Sequence, residues 1–207
     1  MIKILGPLEV FNQDPEVACS GGSDSMAVCD FLARGRKRFH PLFFNHGTET
    51  SAKAYKFLSV RFPSLTVGYI SSPSRPKGLS WEEYWRTERL KFFRSRKNKV
   101  ITGHNLDDAV ETWMMSSCHG QGRLPFYDNG SCIRPFMLAK KEDLRSWCIR
   151  HDVEWIEDET NQDVAFKRNF ARKELIPAAI KINPGIYSVI RRKLVEGLAT
   201  GELVYKS

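Results

Sequence analysis

The sequence predicts an α/β fold, in which a parallel sheet of about five strands carries helices on both faces and is followed by a mainly helical tail. Two observations support this prediction. Short apolar runs alternate with longer segments of helical periodicity, and glycine or proline follows several of these segments. Strand–helix–strand units connect by right-handed crossovers, so their strands lie parallel and helices cover both sides of the sheet.

Each element follows from a local pattern. The predicted strands are the apolar runs at residues 17–19, 40–46, 65–70, 99–102 and 132–137. Apolar residues at helical spacing predict helices near residues 26–32, 51–62, 81–93, 105–117 and 141–151. Ser80 with Glu83 three residues later is a capping-box pattern, and Pro63 ends the second helix.

The 207 residues suffice for one large domain, or for one domain with a small appendage. We expect a sheet domain at residues 1–150 and a basic, mainly helical extension at residues 151–207 that packs on it. Breaks in the helical tail are predicted near Pro177 and at Asn183-Pro184, because proline interrupts a helix.

Charge is the clearest compositional signal. The formal net charge is +8, and the basic residues concentrate in three stretches, at residues 34–38, 86–99 and 167–193. Each stretch alone is typical of a solvated helix face. Together they favour a polyanionic partner, with RNA or DNA as the obvious candidate.

Cysteine usage and hydropathy exclude other classes. The five cysteines are odd in number and include no Cys-X-X-Cys spacing. This pattern argues against a disulfide framework and against a clustered zinc or iron–sulfur site, and it favours a reducing cytoplasm. No apolar run approaches the roughly 20 residues that a membrane-spanning helix needs, so we expect no membrane partner.

The most informative motif is Ser20-Gly21-Gly22-Ser23-Asp24-Ser25, between the first strand and the first helix. Its glycines let a ligand approach the main chain, and the start of the following helix attracts anions. Serine hydroxyls can donate to phosphate oxygens, and Asp24 offers a hard oxygen ligand for Mg²⁺. The motif resembles the pyrophosphate loop of enzymes that split ATP between its α and β phosphates. It lacks the Gly-Lys-Ser/Thr ending of kinase-type P-loops.

A second informative stretch covers residues 104–112, where Asp107, Asp108 and Glu111 fall within one helical turn. Asp108 and Glu111 are three residues apart and share a helix face. Carboxylates at the mouth of a phosphate site can hold Mg²⁺ or orient an attacking amine. Acids in a first helical turn also simply complement the helix dipole, so the stretch alone leaves both alternatives open.

The ordered motifs resemble those of the tRNA(Ile)-lysidine synthetases. The match runs from about residue 15 to residue 185 and comprises, in order, the loop at 20–25, Asn45-His46-Gly47, residues 85–93, His104 to Thr112, Arg134-Pro135-Phe136, Trp155, Asp158 to Asn161, Arg168-Asn169, Arg172 and Pro177. The resemblance implies an adenine nucleotide alpha hydrolase-like fold. It also implies a two-step reaction on the wobble cytidine of an isoleucine tRNA with a CAU anticodon. ATP adenylates the base, and free L-lysine then displaces AMP to give lysidine.

The resemblance also implies roles for particular residues. The predicted ATP-binding residues are Ser20, Gly21, Gly22, Ser23, Asp24, Ser25, His46 and His104. The predicted catalytic residues are Asp24, Asp108, Glu111 and Arg86, with Asp24 also the predicted Mg²⁺ ligand. The predicted tRNA-binding residues are Arg168 and Arg172 of these motifs, together with Arg191 and Arg192, which the third basic stretch suggests. The division of roles between Asp108 and Glu111, at the lysine ammonium or at the metal, is left open, as is a homodimer.

The sequence departs from the family in ways that keep alternatives open. Family members usually carry additional C-terminal domains that grip the tRNA, and Thr48-Glu49 stands where an arginine commonly occurs. We therefore expect a compact version or a catalytic domain from something longer. A tRNA-modifying enzyme of the same superfamily with another specificity, or an inactive RNA-binding relative, is the alternative. A thiolase is disfavoured because no suitable close cysteine pair exists.

Overall fold

A parallel five-stranded sheet forms the centre of the molecule. The computed structural model describes residues 2–157 and 167–205. The strand order is β3-β2-β1-β4-β5, and every neighbouring pair is parallel. The strands are β1 (Glu16–Ala18), β2 (His40–Asn45), β3 (Thr66–Tyr69), β4 (Val100–Ile101) and β5 (Cys132–Ile133). The predicted α/β fold is confirmed, and every strand overlaps a predicted run.

Helices connect the strands and form the tail. They are α1 (Ser23–Arg34), α2 (Glu49–Arg61), α3 (Trp81–Arg94), α4 (Leu106–Cys118), α5 (Lys141–Arg150), α6 (Lys167–Phe170), α7 (Ile176–Ile182) and α8 (Ile186–Ala199). A short 3₁₀ turn at Leu8–Phe11 precedes the sheet, and a π-helical segment at Ala171–Leu175 joins α6 to α7. None of the described helices is both long and apolar enough to cross a membrane.

The predicted capping box at Ser80 is present. The Ser80 hydroxyl accepts a hydrogen bond from the Glu83 N–H at 3.2 Å, and the Glu83 carboxylate accepts one from the Ser80 N–H at 2.9 Å. These bonds satisfy two donors that the first turn of a helix cannot pair internally. The start of α3 is therefore fixed by the sequence itself.

Two local predictions were wrong, and proline is involved in both. The fifth strand ends at Ile133 rather than at residue 137, because Pro135 has no N–H to continue the ladder. The predicted break near Pro177 is absent, since the helical path continues through Phe170 and Ile176, which both have right-handed helical angles. The π-helical segment ends two residues before Pro177. Its wider turns therefore come just before the position at which proline has no N–H to donate to the helix.

The two faces of the sheet bury different helices. Val17, Phe43 and Ile101 lie in one core cluster with residues of α1, α2 and α5. Leu42 and Val100, their neighbours along the strands, instead contact residues of α3. This alternation follows from the two-residue period of a strand. It leaves the ends of the strands, not their faces, open to ligands.

The C-terminal helix shares a core with the sheet domain. Ile190 and Leu194 of α8 are fully buried in a cluster with Leu106 and Val110 of α4. The tail thus packs on the helix that begins beside the fourth strand. The division into a domain at residues 1–150 and an extension at residues 151–207 stays a prediction.

This shared core predicts that the tail and the sheet domain unfold together. Replacement Leu194→Ala should lower the free energy of unfolding by about 2–5 kcal/mol, because it leaves a cavity between α8 and α4. Urea denaturation followed by circular dichroism and by tryptophan fluorescence measures the change. The matched control is Val195→Ala, a neighbour that is 48% exposed. An early separate transition in the Leu194 variant would contradict the shared core.

Candidate nucleotide site

A cavity lies where the carboxyl ends of β1, β2 and β4 meet. Its volume is about 410 Å³, and its lining includes Ser20, Asp24, Ser25, His46, His104 and Asp108. This edge of a parallel sheet is where α/β proteins bind ligands. The cavity therefore collects most of the residues that the sequence predicts for ATP, and it draws them from separate motifs.

The glycine-rich loop is held by its own hydrogen bonds. Gly21 has φ of +86°, a left-handed conformation that favours glycine. The Ser25 hydroxyl donates to the Gly22 carbonyl at 3.0 Å and accepts from the Ser20 N–H at 3.1 Å. The loop is thus preformed, and helix α1 begins directly after Gly22 with its positive end at the cavity.

Asp24 is the charged group of this loop. Burial raises the pKa of Asp24 to about 6, although the Lys141 ammonium opposes the rise. Asp24 Oδ1 is buried and has no hydrogen-bond partner in the described part of the chain. A hard, unpaired oxygen beside a phosphate-binding loop suits Mg²⁺, which usually takes one or two carboxylates and fills its remaining positions with phosphate and water. The residues present therefore fit the predicted Mg²⁺ ligand.

Asn105 links Asp24 to the acidic helix, and the sequence predicted only its role in starting that helix. Its Oδ1 accepts a hydrogen bond from the Asp108 N–H at 3.2 Å, and the Asp108 carboxylate accepts one from the Asn105 N–H at 3.0 Å. Its Nδ2 donates to Asp24 Oδ2 at 3.2 Å. The side chain is 1% exposed. Asn105 thus contacts both carboxylates, that of Asp24 through its side-chain amide and that of Asp108 through its backbone N–H.

Gly103 allows the end of β4 to touch the loop. A Cβ atom at this position would lie 3.2 Å from the carbonyl carbon of Asp24 and 3.3 Å from the nitrogen of Ser25. Both are backbone atoms that cannot easily move. The absence of a side chain at Gly103 therefore favours this close approach, a role that its place after an apolar run does not reveal.

The predicted catalytic carboxylates Asp108 and Glu111 and two of the predicted tRNA-binding arginines form one cluster. Arg172 donates from Nε to Glu111 Oε2, and its Nη2 lies 3.2 Å from Asp108 Oδ1. Arg168 Nε lies 3.4 Å from Glu111 Oε1. Burial raises the pKa of Glu111, which is 1% exposed, while the two arginines oppose the rise. The sequence placed these residues in two functional sets, and the structure brings them together.

The two predicted nucleotide-site histidines are neutral at physiological pH. Burial, with the charge of Arg89, lowers the pKa of His46 to about 4. Burial also lowers the pKa of His104 to about 3, despite the nearby Asp108 carboxylate. The Thr102 hydroxyl and His104 Nδ1 are 2.8 Å apart. Both rings can therefore bond uncharged groups of a ligand but do not add positive charge.

Other predicted residues lie away from the cavity lining. Arg86 is exposed on α3, whereas Arg89, one turn further along, lines the cavity. Arg191 and Arg192 lie on α8, and Arg192 Nε is 3.7 Å from Glu196. Their predicted roles stay predictions. Residues 158–161 of the Asp158 to Asn161 motif lie outside the described residues.

The described residues contain no group of three histidine, cysteine or acidic side chains placed to hold a metal ion. A single-carboxylate Mg²⁺ site completed by substrate phosphates remains compatible with this finding. Cys19, which directly follows strand β1, and Cys29 of helix α1 are buried with their sulfur atoms 3.1 Å apart, a contact that the sequence spacing did not suggest.

The fold and the loop define the class of protein. Residues 9–179 match the family model of the PP-loop domain. The chain belongs to this family of ATP-binding domains.

Within this class, the chain is similar to tRNA(Ile)-lysidine synthases. It is 30% identical to that of Thermosipho africanus over 88% of this chain and 48% of the relative. It is 36% identical to that of Wigglesworthia glossinidia brevipalpis over 85% of this chain and 51% of the relative. The resemblance predicted from the motifs is confirmed. The chain spans about half the length of these relatives.

A solved structure supports the fold. A U34-tRNA thiolase, NcsA, from Methanococcus maripaludis, solved with its 4Fe–4S cluster, superposes with a TM-score of 0.69 at 14% identity. The alignment covers 93% of this chain and 75% of the thiolase. At this identity the likeness concerns the fold alone.

The amide of Asn105 should matter for nucleotide binding more than for stability. Serine caps a helix about as well as asparagine but cannot reach Asp24 with an N–H donor. Replacement Asn105→Ser is therefore expected to weaken the binding of Mg²⁺ and a non-hydrolysable ATP analogue by roughly tenfold or more, the loss of a hydrogen bond to a charged group. Calorimetry measures the affinity for the nucleotide, and the midpoint of thermal unfolding measures how well residue 105 still caps helix α4. Asn183→Ser, at a turn before α8, is the control. Unchanged affinity would contradict the link.

Arg172→Met should destabilise the protein in a pH-dependent way. Burial already raises the pKa of Glu111, and loss of Arg172 raises it further. The folded protein then keeps a proton that the unfolded chain releases from about pH 4 upwards, so stability falls as pH rises. The loss should reach about 3 kcal/mol near pH 8 and be smaller near pH 5.

Urea denaturation at both pH values tests this expectation. The control is Arg192→Met, which removes an arginine from an exposed pair with Glu196 and should change stability by less than about 1 kcal/mol. An equal loss for both variants, or a loss that shrinks as pH rises, would mean that Glu111 does not depend on Arg172.

Proposed function

We propose that this chain is a carbon–nitrogen ligase that converts the wobble cytidine of an isoleucine tRNA with a CAU anticodon to lysidine, using ATP, Mg²⁺ and free L-lysine. The observation that carries the proposal is the meeting of the PP-loop with Asp108 in one cavity. Similarity to lysidine synthases over 85–88% of the chain supports the same reaction. The cytoplasm, where tRNA is modified, suits its free thiols. A homodimer stays a prediction.

The cavity has two parts that suit the two ends of ATP. Its volume of about 410 Å³ lies within the usual range for small-molecule sites. Phe43, Phe44 and Ala54 form an apolar part, which we assign to the adenosine. The loop at residues 20–25 and the start of α1 form the polar part, which we assign to the phosphates.

In the first step the carbonyl oxygen of the cytosine forms a bond to the α-phosphorus, and the bond from that phosphorus to pyrophosphate breaks. Negative charge then grows on the departing pyrophosphate. We assign the stabilisation of this charge to the N-terminus of α1 and to the Ser23 hydroxyl, while the Ser25 hydroxyl, which donates to the Gly22 carbonyl, holds the loop in shape. Asp24 would hold Mg²⁺, which supplies further positive charge when bound.

In the second step the ε-amine of lysine attacks the activated carbon of the base, and AMP leaves. The ammonium must first lose a proton. We assign to Asp108 both the binding of the ammonium and the acceptance of its proton, because Asp108 lines the cavity. Glu111 is instead held between Arg168 and Arg172, so we assign it the positioning of those two arginines.

The arginines divide into two groups. Arg168 and Arg172 are engaged with the carboxylates, so they would contact the anticodon nucleotide at the reacting centre rather than the stem. Arg191 and Arg192 lie on α8, where Arg192 is exposed, and we assign them to the phosphate backbone of the tRNA. Each phosphate contact that they make adds to the salt dependence of binding.

Incorporation of labelled lysine into a CAU isoleucine tRNA transcript tests the function. We expect label that requires ATP and Mg²⁺ and that spares a methionine tRNA with the same anticodon. Asp24→Ala should abolish incorporation, while Glu49→Gln, which changes a surface acid on α2, should leave it unchanged. Absence of label despite ATP binding would contradict the proposed reaction.

A further inference from the structure

Aromatic rings connect the nucleotide cavity to the surface. His46 lines the cavity, and its ring centroid lies 5.5 Å from that of Trp85. Trp85 lies 5.6 Å from Trp81 at an interplanar angle of 33°. The guanidinium carbon of Arg75 lies 5.6 Å from the Trp81 ring centroid. We call His46, Trp85, Trp81 and Arg75 the aromatic ladder.

The outer end of the aromatic ladder is open. Trp81 is 43% exposed, although a tryptophan ring normally buries most of its large apolar area. The neighbouring loop that carries Arg75 is exposed as well. An exposed indole beside an arginine is a surface on which a flat, electron-rich partner can stack.

The open end is also held in place. The Tyr84 hydroxyl donates to the Ser72 carbonyl at 2.8 Å, and the Ser71 N–H donates to the Glu88 carboxylate at 2.9 Å. Both bonds tie the loop before α3 to the helix. The Ser80 capping box fixes the start of that helix. A partner would therefore meet a preorganised surface and lose little entropy in ordering it.

Charge around the aromatic ladder selects an anionic partner. Arg75 forms its outer end, Lys77 follows in the same exposed loop, and Arg86, next to Trp85 in the chain, is exposed as well. The two acids at the start of α3 are already engaged, since Glu82 lies 3.7 Å from Arg168 and Glu83 accepts the Ser80 hydrogen bonds. The two inner rings also have nitrogen atoms that could still form hydrogen bonds. Trp85 Nε1 and His46 Nδ1 are buried without a hydrogen-bond partner in residues 2–157 and 167–205.

We propose that the aromatic ladder binds an unpaired base of an RNA loop, which stacks on Trp81 next to Arg75 while a neighbouring nucleotide reaches the cavity. The inference rests on the proposed function and adds a recognition surface to it. An RNA loop offers both flat bases and phosphate charge, whereas a duplex keeps its bases stacked internally. The aromatic ladder would thus distinguish looped from paired RNA at the entrance to the site.

The test compares RNA affinities of folded variants. Trp81→Ala should weaken binding of a single-stranded heptamer with the anticodon-loop sequence by about 5- to 100-fold, the usual effect of losing one base–aromatic stack. Trp81→Phe should restore much of the affinity, because it keeps an aromatic face. Affinity for a duplex RNA of equal charge should not change. Arg75→Ala should reduce the salt slope of single-strand binding as well as its affinity.

The matched control is Tyr205→Ala. Tyr205 is 56% exposed and lies beside Gly130, just before β5 and therefore at the opposite edge of the sheet. This variant should bind the heptamer like the wild-type protein. Equal losses for Trp81→Ala and Tyr205→Ala, unchanged heptamer affinity in Trp81→Ala, or an equal loss on duplex RNA would each overturn the inference.

Parallel lysine-incorporation assays separate this inference from the proposed function. If the wild type modifies the tRNA and Trp81→Ala does so with the same KM for tRNA, the aromatic ladder has no role and the function stands. If lysine is not incorporated but the heptamer still requires an aromatic residue at position 81, the RNA surface stands and the reaction is wrong.

Discussion

The buried charge of Glu111 is the constraint on which the arrangement of the site depends. A carboxylate that is 1% exposed needs cationic partners within the protein if it is to stay ionised, because burial otherwise favours its protonated form. Arg172 and Arg168 meet this need, and both come from the tail. Ion pairs therefore hold α6 and the π-helical segment against helix α4, and apolar contacts hold α8 against the same helix. The position of the tail and the geometry of this cluster are therefore coupled.

A second connection runs through hydrogen bonds instead of charge. Asn105 starts α4, accepts from the backbone of Asp108 and donates to Asp24. The positions of the two carboxylates are thereby coupled to the first turn of a helix, which is among the more rigid places in a fold. Site geometry on a rigid element is more precise than geometry on a loop. Gly103 adds to this precision because it lets the two elements touch.

Sequence reasoning predicted the architecture and the motif residues because these depend on local patterns. Apolar periodicity located every strand, and the Ser-Gly-Gly-X-Asp-Ser loop located the cavity. The contacts that sequence reasoning missed join residues that are far apart in the chain. Nothing in the spacing of Arg172 indicates that it contacts Glu111, and an N-cap asparagine gives no sign of a second partner at Asp24. The continued helix at Pro177 was missed because the π-helical segment has no simple sequence signature.

That π-helical segment constrains the length of the chain, not only its composition. Ala171–Leu175 fits one more residue into the helical path than a regular α-helix would use. Because the wider turn accommodates this residue, deletion of Ala171 would restore the regular repeat and leave the helices on either side close to their present phase. Arg172 lies within the segment and Arg168 before it, so the deletion would instead change the spacing of two side chains that now reach one carboxylate. The surplus residue therefore sets the reach of these two arginines rather than the direction of the tail.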